Sequence, residues 1–280
     1  MNRAPGTSTD PDSAYCDAEL RRLDYDRWLT TLFAPTASRP ALQALYAFNM
    51  ELARISEQVR EPMLGRIRLQ WWREALEGSQ TASSRAHPVV RALTVLMGEG
   101  RLRQADLLDL VDARETDLDA DVIQTLDDLV AYAASTAGRL AGTAAKLLGT
   151  TNAPGAIAGG TAYGLVGLMR ALPHHAAMGR VYLPRTLLAR EGMTAEEVAQ
   201  RRQPDSIARI VETVADRARL ELHSIAVPRA ALATVLPAAL ARVDLKALAS
   251  TGYDVFSPRA SASMLRRQVA VLLASLRGRL

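Results

Sequence analysis

The stretch Arg39-Pro-Ala-Leu-Gln-Ala-Leu-Tyr-Ala-Phe-Asn-Met-Glu-Leu-Ala-Arg-Ile-Ser-Glu-Gln-Val59 reads as one amphipathic helix. Leu42, Leu45, Phe48 or Leu52, Ile55 and Val59 recur at steps of three and four, so they share one face of a 3.6-residue turn. Pro35, Ser38 and Pro40 mark the turn into it, and Pro62 stops it. The same texture extends both ways. A helix is expected over 17–31 upstream, and others over 67–76, 88–98, 102–116, 125–149 and 155–172 downstream. Gly78-Ser-Gln-Thr-Ala-Ser-Ser84 is a polar loop, and Gly98-Glu-Gly100 and Thr151-Asn-Ala-Pro-Gly155 are breaks. Thr194-Ala-Glu-Glu197 is a capping box, in which Thr and Glu satisfy each other's unpaired backbone N–H groups. Ser257-Pro258 is the expected start of a last helix with the stripe Leu265, Val269, Leu272 and Leu276. No alternating strand pattern and no fixed-period repeat is found. The fold class expected is all-α, with residues 1–15 a disordered tail and 16–280 a single domain.

Composition agrees with that reading. A chain of 280 residues buries a core that needs no staple, and Cys16, the single cysteine, excludes an internal disulfide or a multi-cysteine zinc site. Hydrophobic residues are 49% and charged residues 23%, as in an ordinary globular protein, and the 5% aromatic share speaks against an all-β fold. The net charge of +4 comes from arginine, since only Lys146 and Lys246 are lysines. Arginine suits phosphate because its planar fork donates two parallel hydrogen bonds; a genome-wide arginine bias is the plainer reading. No basic run is dense enough to make nucleic acid an expected partner. Residues 1–15 carry acids and no apolar stretch, so no signal peptide is expected, and the apolar run 269–276 is far short of the ~20 residues a span needs. A cytoplasmic protein, peripheral at an inner membrane at most, is the expectation.

The residues able to do chemistry are few. From position 129 to 190 there is no Asp or Glu, while Arg139, Lys146, Arg170, Arg180, Arg185, Arg190, His174 and His175 all occur. A cavity lined by that stretch would offer donors to an anion; buried small-residue helices, which need no acids, are the alternative. Glu57 and Glu61 are four apart, with Glu51 on a neighbouring face, a spacing at which two carboxylates can hold Mg²⁺. Pro62 argues that Glu61 lies beyond the helix, and solvated charges beside Arg54 and Arg60 are the competing reading. His174 and His175 are adjacent, so they point about 100° apart on a helix and make poor joint metal ligands. Cys16 lacks a partner motif, and Trp71-Trp72 reads as core or groove wall.

Leu45-Tyr-Ala-Phe-Asn-Met50, Glu51-Leu-Ala-Arg-Ile55 and Ile67-Arg-Leu-Gln-Trp-Trp-Arg73 resemble the first half of the squalene/phytoene synthase family. Leu168-Met-Arg170 followed by Gly179-Arg-Val-Tyr-Leu-Pro184 resembles the second half, and the 132–138 and 252–256 segments also fit. The resemblance covers roughly residues 15–275. It implies an isoprenoid-synthase-type helical bundle around a central cavity. Active members join two prenyl diphosphates head to head, and two D-x-x-x-D pairs on facing helices hold the Mg²⁺ ions that neutralise the leaving diphosphate. On this sequence the first pair falls on Ala53 and Glu57 and the second on Ala171 and His175, so four carboxylates become one. Arg170, Arg180 and Tyr182, matching family positions beside the diphosphate, are kept. The pattern is similar to an aspartate-depleted branch that includes a mitochondrial assembly factor for respiratory complex I. That branch implies a non-catalytic protein with no cofactor, complex I subunits or assembly proteins as partners, and a cavity open to a prenyl or lipid anion. The alternatives are an active prenyltransferase, with Mg²⁺ on Glu57 and Glu61, and a peripheral lipid-binding protein.

Overall fold

The protein is described by a computed structural model covering residues 10–78, 82–119, 123–223 and 225–278. Among these residues there is no strand; the chain is a succession of helices. The first are α1 (Pro11–Leu23), α2 (Tyr25–Thr31), α3 (Arg39–Gln58), α4 (Pro62–Leu76), α5 (Ala82–Ala86), α6 (Pro88–Gly98) and α7 (Gln104–Asp112). A 3₁₀ turn, Ala113–Leu118, leads to α8 (Leu126–Ala133), a π turn (Ala134–Gly138) and α9 (Arg139–Leu147). Then come α10 (Pro154–Ala177), α11 (Arg185–Arg190), α12 (Ala195–Ala199), α13 (Pro204–His223), the 3₁₀ turn Arg229–Thr234, α14 (Leu236–Ser250) and α15 (Met264–Arg277).

The stripe read on α3 is the heart of the first half: Leu42, Leu45, Phe48, Leu52 and Ile55 are all buried. They pack with Cys16 and Leu20 of α1, Trp72 of α4 and Leu93 of α6. The second half is built on α10, whose Leu165, Val166, Met169 and Leu172 meet α8, α13 and α14. Small residues allow α10 to lie directly on the π turn. A Cβ at Gly160 would come 2.4 Å from the Ala137 carbonyl and 2.7 Å from the Ala141 methyl, so only glycine fits that crossing.

Several boundaries differ from those expected. The helix expected over 17–31 is two helices, because Asp24 breaks it: its carboxylate caps α2 through the Arg27 amide (3.1 Å) and pairs with the Arg27 guanidinium (2.5 Å). α1 itself begins at Pro11, capped by Asp10, inside the stretch expected to be a disordered tail; the rest of that tail, 1–9, lies outside the described residues, as does 79–81 of the polar loop. Pro62 not only closes α3 but opens α4, where its missing N–H costs nothing. The helix over 125–149 carries the π turn, and α10 continues through Pro173 to Ala177. α15 starts at Met264 with Ser263 as its cap, six residues beyond the expected Ser257-Pro258.

Candidate functional site

On α3, Asn49, Ala53 and Glu57 follow one another at one-turn steps and so share a stripe. α10 contributes Ala171 and His175 near its C-terminal end. Beyond them a cavity of about 940 Å³ opens, lined by Glu57 and Arg60 from the end of α3, by Asp117 and Asp119, and by Arg180, Tyr182 and Arg185. Apolar walls come from Val59, Leu118, Ile123, Leu183 and Leu188.

The polar floor is an internal network. Asp117, with its side chain 4% exposed, accepts hydrogen bonds from the hydroxyls of Tyr132 (2.5 Å) and Tyr182 (3.2 Å), and Arg114 Nη1 lies 3.3 Å from its other oxygen. Arg114 Nη2 donates to Asn49 Oδ1 at 3.0 Å, which ties the network to α3 one turn before Ala53. Burial, reinforced by Asp117, pushes the Tyr132 and Tyr182 phenols up, so both stay neutral donors. His175 lies with its ring 5.0 Å from that of Tyr182, and its Nδ1 is buried without a hydrogen-bond partner. Burial, then His174, pushes the His175 imidazole down to about 4, so it is neutral at physiological pH.

The site residues read from the sequence separate into two places. Arg180 and Tyr182 line the cavity together with Glu57, and His175 stands against Tyr182. Arg170 does not join them. It is five residues before His175, which is about 140° around the helix, and its Nη1 lies 3.3 Å from Asp244 and 3.6 Å from Asp26. There Arg267 pairs with both acids, and Tyr163 donates to Asp26 at 3.3 Å. Arg170 therefore serves a buried ion-pair cluster, not an anion site beside Arg180.

The Glu57–Glu61 pair is also corrected. Glu61 has extended backbone (φ −101, ψ 125) as the residue before Pro62, so it leaves the helix and shares no face with Glu57. Glu51 approaches His87 (4.0 Å), away from the cavity residues, and burial raises its carboxyl. The acid-free stretch does not make a uniformly positive cavity either. Two of its cations meet acids brought from elsewhere, Arg139 on Asp109 (2.6 Å) and Lys146 on Asp106 (2.8 Å), and the cavity holds Glu57, Asp117 and Asp119.

These residues do not fit Mg²⁺. Ala53 and Ala171 bring no donor, His175 brings nitrogen where Mg²⁺ prefers oxygen, and Asp117 already accepts from two phenols and a guanidinium. Among the described residues no three His, Cys, Asp or Glu side chains cluster for a metal. Arg114, Asp117 and Asn49 escaped the sequence reading. The one local signal was the Arg114/Asp117 spacing of three on an irregular turn.

The family model described as Squalene/phytoene synthase matches residues 20–266. A relative in Mus musculus, NADH dehydrogenase (ubiquinone) complex I, assembly factor 6, is 30% identical over 263 residues, covering 91% of this chain and 79% of its own. Among solved structures, a dehydrosqualene synthase in complex with ligand superposes with a TM-score of 0.75 at 18% identity over 95% of this chain and 96% of its own. The squalene synthase HpnC from Alicyclobacillus acidocaldarius gives 0.70 at 24% identity, covering 87% and 95%.

Proposed function

Because the chain belongs to the squalene/phytoene synthase family, yet keeps one carboxylate at four motif positions, we propose that it is a non-catalytic member that supports assembly of respiratory complex I. The observation that carries the loss of chemistry is the motif itself: Ala53 and Ala171 bring no carboxylate and His175 is a neutral imidazole, so Glu57 alone remains. Ionising an allylic diphosphate puts negative charge on the leaving group, and removing one preorganised stabiliser of such charge costs ~10²–10³ in rate. Here three of the four carboxylates are replaced. The assembly role is supported by the likeness to the assembly factor over nine-tenths of the chain. Complex I subunits or their assembly proteins are the partners this reading names. The cavity, with the Arg180 and Arg185 guanidiniums beside apolar walls, suits a prenyl or lipid anion held without metal.

Two measurements test the reading. Purified protein with farnesyl or geranylgeranyl diphosphate and Mg²⁺ releases no diphosphate. Deleting the gene lowers assembled NADH:quinone oxidoreductase in membranes, and both the wild-type chain and Glu57→Gln restore it. Steady turnover that Glu57→Gln abolishes, or unchanged oxidoreductase in the deletion strain, overturns the proposal.

A further inference from the structure

α15 is inside out. Its inward side carries Arg267, Val271 and Ala274, all buried, and Arg267 is drawn in by Asp26 and Asp244. Its outward side carries the apolar stripe: Leu265 is 69% exposed, Leu276 71%, Leu272 48%, Val269 44% and Leu273 42%. On a helical wheel these five span about 100°, and Arg266 and Arg277 follow at the edge of that arc. Both arginines, and Arg259 before the helix, are exposed, and none forms an ion pair among the described residues. No acid occurs after Asp254 in the chain. A stripe this apolar with a purely cationic border is the reverse of what a solvated helix presents.

We infer that the outer face of α15 docks on an anionic phospholipid bilayer, lying in the plane of the headgroups. Charge complementarity selects this occupant. A second copy packed antiparallel against the stripe about a two-fold axis would set Arg266 and Arg277 of both copies along one seam, like charge against like. A bilayer with anionic lipids offers an apolar layer for the leucines and a negative plane for the arginines at once. The helix has the right form for lying on a membrane: 14 residues, ~21 Å long, with no helix among the described residues long and apolar enough to cross one. The inference stands apart from the assembly role and from what the cavity holds, because its evidence is the face of α15 alone.

Vesicle flotation of the full chain tests it, on phosphatidylcholine alone and with about a third phosphatidylglycerol. Binding is expected at least tenfold tighter on the anionic vesicles, weaker at high salt, and reduced about fivefold per arginine in Arg266→Gln and Arg277→Gln. Leu272→Glu with Leu276→Glu removes it; both sites are exposed, and circular dichroism checks that the fold is kept. A second readout needs no loss of residues from the core. Cys16 is buried and its thiol is pushed up to about 12, so Leu276→Cys is labelled selectively with an environment-sensitive fluorophore, which brightens and blue-shifts on anionic vesicles. Equal binding to neutral and anionic vesicles, flotation unchanged by the glutamates, or a silent label overturns the inference. So does a concentration-dependent dimer that the same glutamates dissociate in a chain that ignores vesicles.

Discussion

His175→Phe is the sharpest test of how the altered motif is built. The imidazole is neutral because burial lowers its affinity for a proton from 6.5 to about 4, and its buried Nδ1 has no partner. The unfolded chain binds that proton near pH 6.5, so between the two values it holds more protons than the folded chain, and stability falls as pH falls. The window of about 2.5 pH units at 1.36 kcal/mol each sets a ceiling of ~3.4 kcal/mol; the ring is partly exposed, so about 2–3 kcal/mol is expected. Phenylalanine fills a similar volume without an orphaned nitrogen, so at pH 7 the variant should lie within about 1 kcal/mol of wild type. Urea unfolding of both proteins at steps from pH 7.5 to about 4 gives the difference curve, in which His87 and the carboxylates cancel to first order. The wild type should lose the extra 2–3 kcal/mol across that window while the variant does not. Parallel curves, or a His175 ring proton that titrates by NMR near pH 6.5, would refute the burial argument.

Arg267→Met leaves Asp26 and Asp244 with Arg170 as their remaining guanidinium, so it should cost ~3–5 kcal/mol and roughly 10 °C in melting temperature; a loss below about 1 kcal/mol would show that Arg170 suffices. Gly160→Ala pushes a methyl against the Ala137 carbonyl and should destabilise by about 1–3 kcal/mol in denaturant, whereas a neutral result would mean the α10 crossing relaxes freely. Native protein should leave Cys16 unreacted with a thiol reagent at pH 8 and expose it only on unfolding, since the thiol is fully buried and pushed up to about 12. Millimolar Mg²⁺ or EDTA should leave the melting temperature within about 1 °C, where a site filled at a hundredfold over its Kd would add ~2.7 kcal/mol.

Periodicity carried the helices because a helix that packs through one face repeats its apolar residues along that face, and α3 shows it: the residues read at steps of three and four are the ones found buried. Local chemistry also carried the departure of Glu61 from its helix, since a proline restricts the residue before it wherever it occurs. What was not legible depends on residues far apart in the chain. Arg114 and Asn49 are 65 positions apart, as are Tyr182 and Asp117, and no local pattern couples them. Nor does a stripe say which way it faces. Leu265, Val269, Leu272 and Leu276 were correctly grouped, but the side of α15 that turns inward is set by Arg267 meeting Asp26, 241 positions away, and Asp244.

These two buried knots of charge show how the fold balances its deepest acids with its own side chains. Carboxylates facing one another across a cavity repel, and a divalent cation is what makes such a site tolerable. With Ala53 and Ala171 that repulsion is absent from the start. The acid that remains deep, Asp117, is answered by Arg114 and two phenols, and the acids behind α10 are answered by Arg170 and Arg267. Asp117, Asp26 and Asp244 therefore each find a counter-charge within the chain. Restoring aspartates at 53, 171 and 175 would add three carboxylates near Glu57 that neither knot balances, a charge that a bound cation would have to offset.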